Sequence, residues 1–266
     1  DSSTSRGLGD VYKRQREMLV GEKFGIASSK VVIEEFLDGI ELSCFVLTDG
    51  VNYKVLPTAK DYKRIGEGDS GLNTGGMGAI SPVPFANKEL LNKIEQNIII
   101  PTIHGLKKDR IEYQGFIFIG LINVNDEPKV IEYNVRMGDP ETEAVLPRIQ
   151  NDFVEIFQSF KDKTLDQIEL KIDNRSAATV VLVSGGYPSS YNKGIKITGI
   201  DLVVDSTVYH AGTIQKDGSV YTNGGRVLAI TSFGDNFQQA LDNSYKSASK
   251  INFNRMYYRK DLGFDL

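Results

Sequence analysis

One strand-like segment of the chain places three polar side chains at alternate positions. In the stretch KVIEYNVRMGDPE these are Glu132, Asn134 and Arg136. Because successive side chains of a strand point to opposite faces, we expect these three on one face and the intervening apolar residues on the other, against a core. Carboxylate and amide oxygens suit Mg²⁺, which is shared with substrate phosphates, and a guanidinium can grip a carboxylate or phosphate with two hydrogen bonds. The alternative is an antiparallel strand with a solvated polar face.

The residues after this strand predict the start of a helix. Asp139 can cap a helix and Pro140 is tolerated in a first turn, so Gly138-Asp139-Pro140-Glu141 indicates a helix that runs to about Phe160. A helix N-terminus favours anions. For Asp139 and Glu141, helix capping and substrate contact therefore both remain open.

A long glycine-rich segment, AKDYKRIGEGDSGLNTGGMGAISP, combines basic residues with a tight turn. Glycine lets backbone N–H groups approach an anion closely, and Lys63 and Arg64 can neutralise phosphate charge. The segment therefore predicts a phosphate-binding loop over residues 61–84, and the alternative is a set of ordinary turns. The turn residues of this predicted loop are Asn73, Thr74, Gly75, Gly76 and Gly78.

The segment VVIEEFLDGIELS carries acidic residues before and after an Asp-Gly turn. This pattern suggests the edge of a nucleotide site. Backbone groups near Phe36 and Leu37 would contact adenine, and the carboxylate of Glu41 would accept hydrogen bonds from ribose hydroxyls. The alternative is a hairpin with acidic surface residues.

The first part of the chain must supply a sheet and helices to position these groups. β-branched and alternating runs predict its strands, and two Asp-Gly pairs predict turns. The strands are expected over 30–36, 40–47, 115–124 and 128–137. An amphipathic helix is expected over 87–106, with a break near Pro101.

The remainder of the chain has a different texture, with short strands separated by glycine-rich turns. Strands are expected over 177–183, 195–197, 206–210 and 226–231, and a helix over 236–251. We therefore predict an α+β protein with a domain boundary near residue 165, which gives a first domain over 16–165 and a β-rich domain over 166–266.

Composition excludes several classes of function. The 266 residues carry 31 basic and 35 acidic side chains, a net charge of −4 that argues against a nucleic-acid or anionic-membrane binder. The one cysteine, Cys44, excludes a disulfide framework within the chain. No apolar run approaches the length of a membrane span. We expect a cytoplasmic enzyme that acts on small molecules.

The first fifteen residues, DSSTSRGLGDVYKRQ, are polar and show no apolar period. We interpret them as a foreign or disordered tract with neither strand nor helix. The following REMLVGEKFG indicates the end of a helix.

Together the motifs resemble the phosphoribosylamine–glycine ligases, which are ATP-grasp enzymes of purine biosynthesis. The resemblance spans about residue 16 to the end of the chain. Its motifs, in order, are EEFLDGIELS, AKDYKR, GDSGLNTGGMGAISPVP, VIEYNVRMGDPETEAVLPR, SGGYP, YHAGT, TNGGRVLAIT and YRKDLG.

This resemblance implies the C-terminal half of an ATP-grasp domain, an antiparallel sheet with helices, followed by a small β-rich C-terminal domain. It also implies an ATP-dependent carbon–nitrogen ligase that joins glycine to 5-phosphoribosylamine through a glycyl phosphate, with Mg²⁺ or Mn²⁺ and with a monomeric parent enzyme. The roles it implies are Glu132 and Asn134 as metal ligands, Arg136, Lys63 and Arg64 in catalysis, Glu34, Leu37 and Glu41 at the nucleotide, and Asn73, Thr74, Gly75, Gly76 and Gly78 over the phosphates.

Two departures from the family pattern bear on activity. Lys60 and Tyr62 stand where the family usually has Gln and His, which removes an acid–base group. The family's dinucleotide-fold-like domain and the first half of the ATP-grasp are not recognised in the sequence, so we expect the chain alone to be inactive. Two alternatives remain, another ATP-grasp carboxylate–amine ligase and a non-catalytic nucleotide-binding fragment.

Overall fold

The computed structural model describes residues 8–22, 25–30, 32 and 34–266. Contacts divide the chain into two units, Asp1–Asp38 and Gly39–Leu266.

The first unit contains helix α1 (Leu8–Leu19) and a 3-10 turn over Gly25–Ser29. The expectation of no helix in the first fifteen residues is therefore wrong for residues 8–15, while residues 1–7 lie outside the described part. Lys, Arg, Gln, Glu, Met and Leu dominate this segment and are strong helix formers, which outweighs its weak apolar period. Whether the tract is foreign stays a prediction.

The strand expected over residues 30–36 is also wrong at the positions that are described there, all of which are coil. A strand requires a hydrogen-bonded neighbour, and β-branched residues alone do not supply one. Residues 31 and 33 lie outside the described part of the chain.

The second unit holds the remaining elements. Its strands are β1 (Ile40–Thr48), β2 (Tyr53–Val55), β3 (Lys60–Asp61), β4 (Arg64–Gly66), β5 (Ser70–Asn73), β6 (Gly78–Ser81), β7 (Gly115–Val124), β8 (Glu127–Asn134), β9 (Ser176–Val183), β10 (Lys196–Ile197), β11 (Thr207–His210), β12 (Thr213–Lys216), β13 (Ser219–Thr222) and β14 (Arg226–Gly234). Its α-helices are α2 (Lys88–Ile94), α3 (Ile100–Lys108), α4 (Glu141–Val145), α5 (Phe153–Asp162) and α6 (Phe237–Ala248). Single 3-10 turns cover Glu67–Asp69, Leu146–Arg148, Leu165–Gln167 and Ile200–Leu202.

A four-stranded antiparallel sheet, ordered β2-β1-β7-β8, carries the first set of polar residues. Its central strand β1 is buried over most of its length because both faces are covered. Cys44 and Val46 pack in the core with Ile94 and Ile103 of α2 and α3. On the other face, Phe45 packs in a separate core beside α4 and α5. The predicted strands over 40–47, 115–124 and 128–137 are confirmed, although the last ends at Asn134.

Strand β8 lies at the edge of this sheet and is less buried than predicted. Ile131, Tyr133 and Val135 are 41%, 49% and 74% exposed, so the expected apolar core face is wrong for these residues. The cause is the edge position, where helices cover the strand only partly. Tyr133 still reaches α3, with its hydroxyl 3.0 Å from the hydroxyl of Thr102.

A five-stranded sheet, ordered β11-β14-β9-β6-β3, draws its strands from both sides of residue 165. Strand β9 is buried throughout and lies between β6 and β14, with α6 packed in the same core. Residues 60–61, 64–66, 70–73 and 78–81 are strands, so the expectation of one long loop over 61–84 is wrong there. These strands are too short and too rich in glycine to show a period. The predicted boundary near 165 stays a prediction.

Two helix predictions are corrected at proline residues. The helix over 87–106 is not broken at Pro101. A π-helical turn over Glu95–Ile99 lies between α2 and α3 instead. Pro101 therefore falls in the first turn of α3, where a proline is tolerated. The helix predicted from Asp139 to about Phe160 is instead α4, a 3-10 turn containing Pro147, and α5, which is capped by Asp152.

The C-terminal strands expected over 177–183, 195–197, 206–210 and 226–231 are confirmed, as is the final helix with its Asn236 cap. The β12–β13 hairpin was not predicted. Among the described residues, no helix combines the length and apolar character that crossing a bilayer requires.

Because β9 is paired on both sides, we expect Gly39–Leu266 to unfold in one transition.

Val180 pairs with Gly78 of β6 and Ile230 of β14 and is fully buried. Val180→Ala should lower the free energy of unfolding by about 2 kcal/mol, whereas Val154→Ala, at a 62% exposed position, should change it by less than about 0.5 kcal/mol. Scanning calorimetry measures both the stability changes and the number of unfolding transitions. Two separate transitions would contradict the prediction of a single one.

Candidate functional site

A cavity of about 140 Å³ lies between the end of β8, the loop around β3 and the start of α4. Its lining combines both charge signs with glycine. The residues that line it are Asp61, Lys63, Thr74, Gly75, Phe118, Glu132, Arg136, Gly138, Asp139 and Glu141.

Strand β8 presents the predicted metal ligands on one face. Glu132 lies opposite Gly120 of β7 and Asn134 lies opposite Phe118. An ideal Cβ on Gly120 would sit 3.1 Å from the Cγ of Glu132, so glycine gives the Glu132 side chain room across the strand. A β-bulge in this pair precedes Glu132, and the alternation from 132 to 134 is intact.

The donor set at β8 fits a divalent cation that keeps most of its coordination for water and phosphate. Glu132 and Asn134 offer a carboxylate and an amide oxygen, which are hard ligands. Among the described residues, no group of three or more His, Cys, Asp or Glu side chains is placed to hold a metal ion. Mg²⁺ bound through one or two protein oxygens plus substrate phosphates does not require such a group.

Lys63 lines the cavity and is already paired. Its Nζ lies 2.5 Å from Oε2 of Glu41, the residue predicted to contact ribose. Burial alone would lower the pKa of Lys63, but the charge of Asp61 and the hydrogen bond to Glu41 outweigh it and raise that pKa. A phosphate would therefore meet a fully charged ammonium but would have to share it with Glu41.

The structure separates Arg64 from Lys63. Arg64 donates from Nη1 to the carbonyl of Gly71 at 2.8 Å, and its backbone pairs with Asn73 between β4 and β5. Neither Arg64 nor Asn73 lines the cavity. Arg136 does line it, beyond the end of β8, where its Nη1 donates to the carbonyl of Met137 at 2.9 Å.

The turn after β5 uses the N–H groups that were predicted to bind phosphate. Gly75 N donates to the hydroxyl of Tyr187 at 2.9 Å, and Gly76 N donates to Oγ1 of Thr74 at 2.9 Å. Gly76 has a φ of 117°, a conformation that favours glycine. Gly78 is buried in β6 beneath Leu262 and does not line the cavity. In this conformation the turn is held by the protein itself.

Two carboxyl groups, that of the buried Glu141 and that of the partly buried Asp61, form the part of the site that the sequence does not predict. The sequence patterns indicate no role for Asp61, and for Glu141 they leave capping and substrate contact both open. Glu141 is only 3% exposed and accepts a hydrogen bond from the hydroxyl of Ser43 at 2.8 Å. Burial, together with the negative charge of Asp61, raises the pKa of Glu141 to about 7. Burial also raises the pKa of Asp61, although Lys63 opposes this.

The sequence contains little that would predict the proximity of Asp61 and Glu141. Ser43 alternates with Cys44 on β1 and so faces the side of the sheet that bears Glu141, but nothing local places Asp61 opposite a residue far along the chain.

Asp139 does not cap α4, so that reading is wrong. The N-cap residue is Pro140, which has no side-chain capping bond. Asp139 instead pairs with Arg226 of β14, Nη1 to Oδ1 at 3.0 Å. The same Nη1 donates to the carbonyls of Gly75 and Asp139 at 2.7 and 2.8 Å. A residue of the C-terminal region therefore ties together two loops of the site.

The remaining residues differ in their surroundings. Glu34 is exposed and Leu37 half-buried in coil of the first unit, so their place in a nucleotide site stays a prediction. Cys44 is fully buried, and burial raises its pKa to about 12, which agrees with a structural role. Tyr62 donates to Oδ1 of Asp265 at 3.0 Å. His210 lies 3.0 Å from the hydroxyl of Thr213.

A larger cavity of about 410 Å³ is lined by Cys44, Ile94, Ile99 and other mainly apolar residues. It lies against the core beside α2, not against the polar face of β8. The smaller cavity is the candidate site because it alone of the two brings together Asp61, Lys63, Glu132 and Arg136.

Comparison with known proteins gives one consistent result. A sequence model described as "Phosphoribosylglycinamide synthetase, ATP-grasp (A) domain" matches residues 8–142, and one described as the C domain of the same synthetase matches residues 177–265. The phosphoribosylamine–glycine ligase of Vibrio vulnificus is 46% identical over 252 residues, covering 94% of this chain and 59% of the relative. The trifunctional purine biosynthetic protein adenosine-3 of Gallus gallus is 42% identical over 258 residues, covering 96% and 26%.

Solved structures agree. A phosphoribosylamine–glycine ligase from Thermotoga maritima matches with a TM-score of 0.82 at 34% identity, covering 95% of this chain and 63% of that one. A biotin carboxylase domain of a 2-oxoglutarate carboxylase matches at 0.62 but at 12% identity, which shows the fold alone. The predicted fold, part of an ATP-grasp domain with a C-terminal domain, is confirmed. The chain spans about 59% of the length of the Vibrio vulnificus relative.

The Glu141 pKa predicts a pH-dependent contribution to stability. A carboxyl whose pKa rises from 4.5 to about 7 on folding binds more protons in the folded state between those values. Its contribution is complete below about pH 4.5 and is lost as the pH rises through 7. Glu141→Gln keeps an acceptor for Ser43 without this charge. Relative to the unsubstituted chain, it should therefore gain about 3 kcal/mol in free energy of unfolding between pH 4.5 and 8.

Urea unfolding at several pH values measures this gain. Glu155→Gln, at an exposed position of α5, is the control and should show no such trend. An equal stability change for Glu141→Gln at every pH would contradict the prediction.

Proposed function

The chain belongs to the phosphoribosylglycinamide synthetase family, and we propose that it contributes to the ATP-dependent joining of glycine to 5-phosphoribosylamine. The products are glycinamide ribonucleotide, ADP and phosphate. The relatives that carry this name are longer than the chain, so the reaction is proposed for the enzyme of which such a chain forms part.

One observation carries this proposal: a single cavity collects Glu132, Lys63, Arg136 and the pair of Asp61 and Glu141. ATP-dependent acyl activation requires charge neutralisation around phosphate and exact placement of two substrates, and it needs no covalent nucleophile. Lys63 and Arg136 supply positive charge within the cavity. The carboxyl groups can accept hydrogen bonds from an amine.

In the proposed reaction, the carboxylate of glycine is phosphorylated by ATP and the amine of phosphoribosylamine then attacks the acyl phosphate. Arg136 would hold the glycine carboxylate or the transferred phosphoryl group, because its guanidinium has two donors for either. Lys63 would neutralise phosphate charge. The fixed turn at Thr74 to Gly76 would close one side of the cavity and keep water away from the acyl phosphate.

We propose Mg²⁺ or Mn²⁺ as the metal, held by Glu132 and Asn134. When bound, the metal would neutralise the phosphates of ATP. The proposed partners are small molecules, which agrees with the net charge of −4. We also propose that the protein is a monomer. We place it in the cytoplasm, where disulfides are rare, because its one cysteine is a buried free thiol.

Metal binding tests the role of Glu132. Mn²⁺ titrated into the chain in the presence of ADP, and followed by electron paramagnetic resonance, should bind at least tenfold more weakly to Glu132→Gln. Glu127→Gln is the matched control, because Glu127 lies on the same strand but pairs with Lys93. Equal Mn²⁺ affinity of the two variants would contradict the assignment.

Activity tests the reaction itself. Residues 8–266, which include all of α1, can be fused to the N-terminal part of the Vibrio vulnificus relative. ADP release that depends on both glycine and phosphoribosylamine is then measured. Arg136→Met should lower kcat by about 100-fold, while Lys129→Met, at an exposed position of β8, should leave it unchanged. A fusion that folds and binds ATP but releases no ADP with these substrates would contradict the proposed reaction.

A further inference from the structure

Arg259, in the last ten residues of the chain, carries a fully buried positive charge that the site described above does not use. Its side chain is 0% exposed. It pairs with two carboxylates, Nη1 with Oδ1 of Asp69 at 2.5 Å and Nη2 with Oδ2 of Asp261 at 2.8 Å. Its Nε also donates to Oδ1 of Asp261 at 2.8 Å. A buried guanidinium with two anionic partners is held in one geometry, because its planar set of donors is directed at both carboxylates at once.

One of these partners belongs to the β4–β5 hairpin, residues 64–73, which follows Lys63 directly. Asp69 lies at the tip of that hairpin, and Arg259 Nη1 also donates to the carbonyl of Arg64 at its base, at 3.3 Å. Asp261 accepts from the backbone N of Gly68 at 2.6 Å, and the hydroxyl of Tyr257 donates to the carbonyl of Ile65 at 2.9 Å. Residues 257–261 thus hold the hairpin along its whole length.

The hairpin has little to hold it otherwise. It is a two-stranded sheet by itself, and all four residues of β5 are exposed. An isolated two-stranded hairpin is marginally stable at best in water. Leu72 is 58% exposed, and Ile65 is partly buried against a small cluster. Contacts with residues 257–261 must therefore supply much of its order.

The two ends of the hairpin lead into the candidate site. Lys63, at one end, lines the cavity, as do Thr74 and Gly75 at the other. Thr74 N donates to the carbonyl of Lys63 at 2.7 Å, so the two ends are joined across the hairpin base. A shift of the hairpin would move Lys63 and the turn at 74–76 together.

We propose that Arg259 is a positioning residue, which fixes the 64–73 hairpin through Asp69 and Asp261 and so sets where Lys63 and the turn at 74–76 stand for phosphate. This rests on the proposed function, because it assigns phosphate to Lys63. Arg259 acts through the hairpin and does not line the cavity itself. The C-terminal region then contributes to phosphate binding by ordering a loop from the first part of the chain.

The choice of arginine follows from the geometry. Three nitrogens of one guanidinium reach Asp69, Asp261 and the Arg64 carbonyl at once, which a lysine ammonium cannot match in planar fork geometry. The guanidinium also lies 5.3 Å from the ring of Tyr62 and 5.7 Å from that of Phe264, both favourable for a cation near an aromatic ring.

Hydrogen exchange of individual backbone amides tests the positioning role. In Arg259→Met, amides of residues 64–76 should exchange at least tenfold faster, while those of β9 and β14 change less than threefold. Arg175→Met is the matched control, because Arg175 pairs with Asp173 at a similar 2.7 Å but does so at the surface and away from the hairpin. Unchanged exchange in the hairpin of a folded Arg259→Met chain would overturn the proposal.

Asp69→Asn decides the question if Arg259→Met fails to fold. Asp69 is 43% exposed, and Asp261 remains to compensate Arg259, so this variant should keep its thermal midpoint within a few degrees. Its hairpin amides should still exchange several-fold faster. Arg259→Lys should give exchange between that of the unsubstituted chain and that of Arg259→Met. Unchanged exchange in Asp69→Asn, or exchange in Arg259→Lys equal to that of the unsubstituted chain, would overturn the proposal.

Binding of inorganic pyrophosphate, measured by calorimetry, separates positioning from simple stability. Asp69→Asn should bind pyrophosphate at least fivefold more weakly at an unchanged thermal midpoint. A loosened hairpin with unchanged pyrophosphate affinity would overturn the positioning role. If the unsubstituted chain binds no pyrophosphate, the phosphate role of Lys63 within the proposed function fails, whereas hydrogen exchange still decides whether Arg259 fixes the hairpin.

Discussion

The pairing of β6 with β9 is the constraint on which the site depends. Strand β6 is only four residues long, yet it joins the loop that carries Asp61 and Lys63 to the buried centre of the second sheet. The contact requires glycine at position 78, because a Cβ there would collide with the Thr179 carbonyl and the Leu262 side chain. Once β6 is fixed, β3 pairs beside it and Asp61 is brought to the buried carboxyl of Glu141. The loop that carries Asp61 and Lys63 thus takes its position from a strand that follows it by about a hundred residues.

Charge in the site is arranged in opposed pairs and is not simply positive. Lys63 is matched by Glu41, and Arg226 by Asp139, while burial raises the pKa values of Glu141 and Asp61. A net charge of −4 for the chain coexists with a cavity that is lined by both Lys63 and Arg136. Arg226 and Arg259 perform comparable tasks at the two ends of the glycine-rich segment. Each reaches from the C-terminal region to backbone carbonyls of that segment, so its order depends on tertiary contacts more than on its own sequence.

Elements that depend on local patterns were predicted from the sequence, and elements that depend on contacts between distant segments were not. Strands β1, β7 and β9 have continuous apolar runs that bury on both faces, and their bounds were predicted closely. Of Glu132, Asn134 and Arg136, whose spacing predicts a polar site, Glu132 and Arg136 line the cavity, and their roles stay a prediction. Strands β4, β5, β12 and β13 were missed because each is three or four residues long and is stabilised by a partner strand, not by an apolar period. The helix expected after Asp139 was too long, since Pro147 ends the first helical segment.

The sequence by itself determined the family, the order of the motifs and the polar face of β8, because these depend on residue types at short spacing. Only the tertiary structure decided which groups meet. In the structure, Lys63 pairs with Glu41, and Arg64 donates to the carbonyl of Gly71. The N–H groups of Gly75 and Gly76 bind acceptors within the protein. Glu141 is buried close to Asp61. The contacts of Lys63 with Glu41, of Gly75 with Tyr187 and of Glu141 with Asp61 close a long stretch of chain or depend on burial. Neither the distance between two groups nor the loss of water around them is encoded at any single position, and so no local pattern could reveal them.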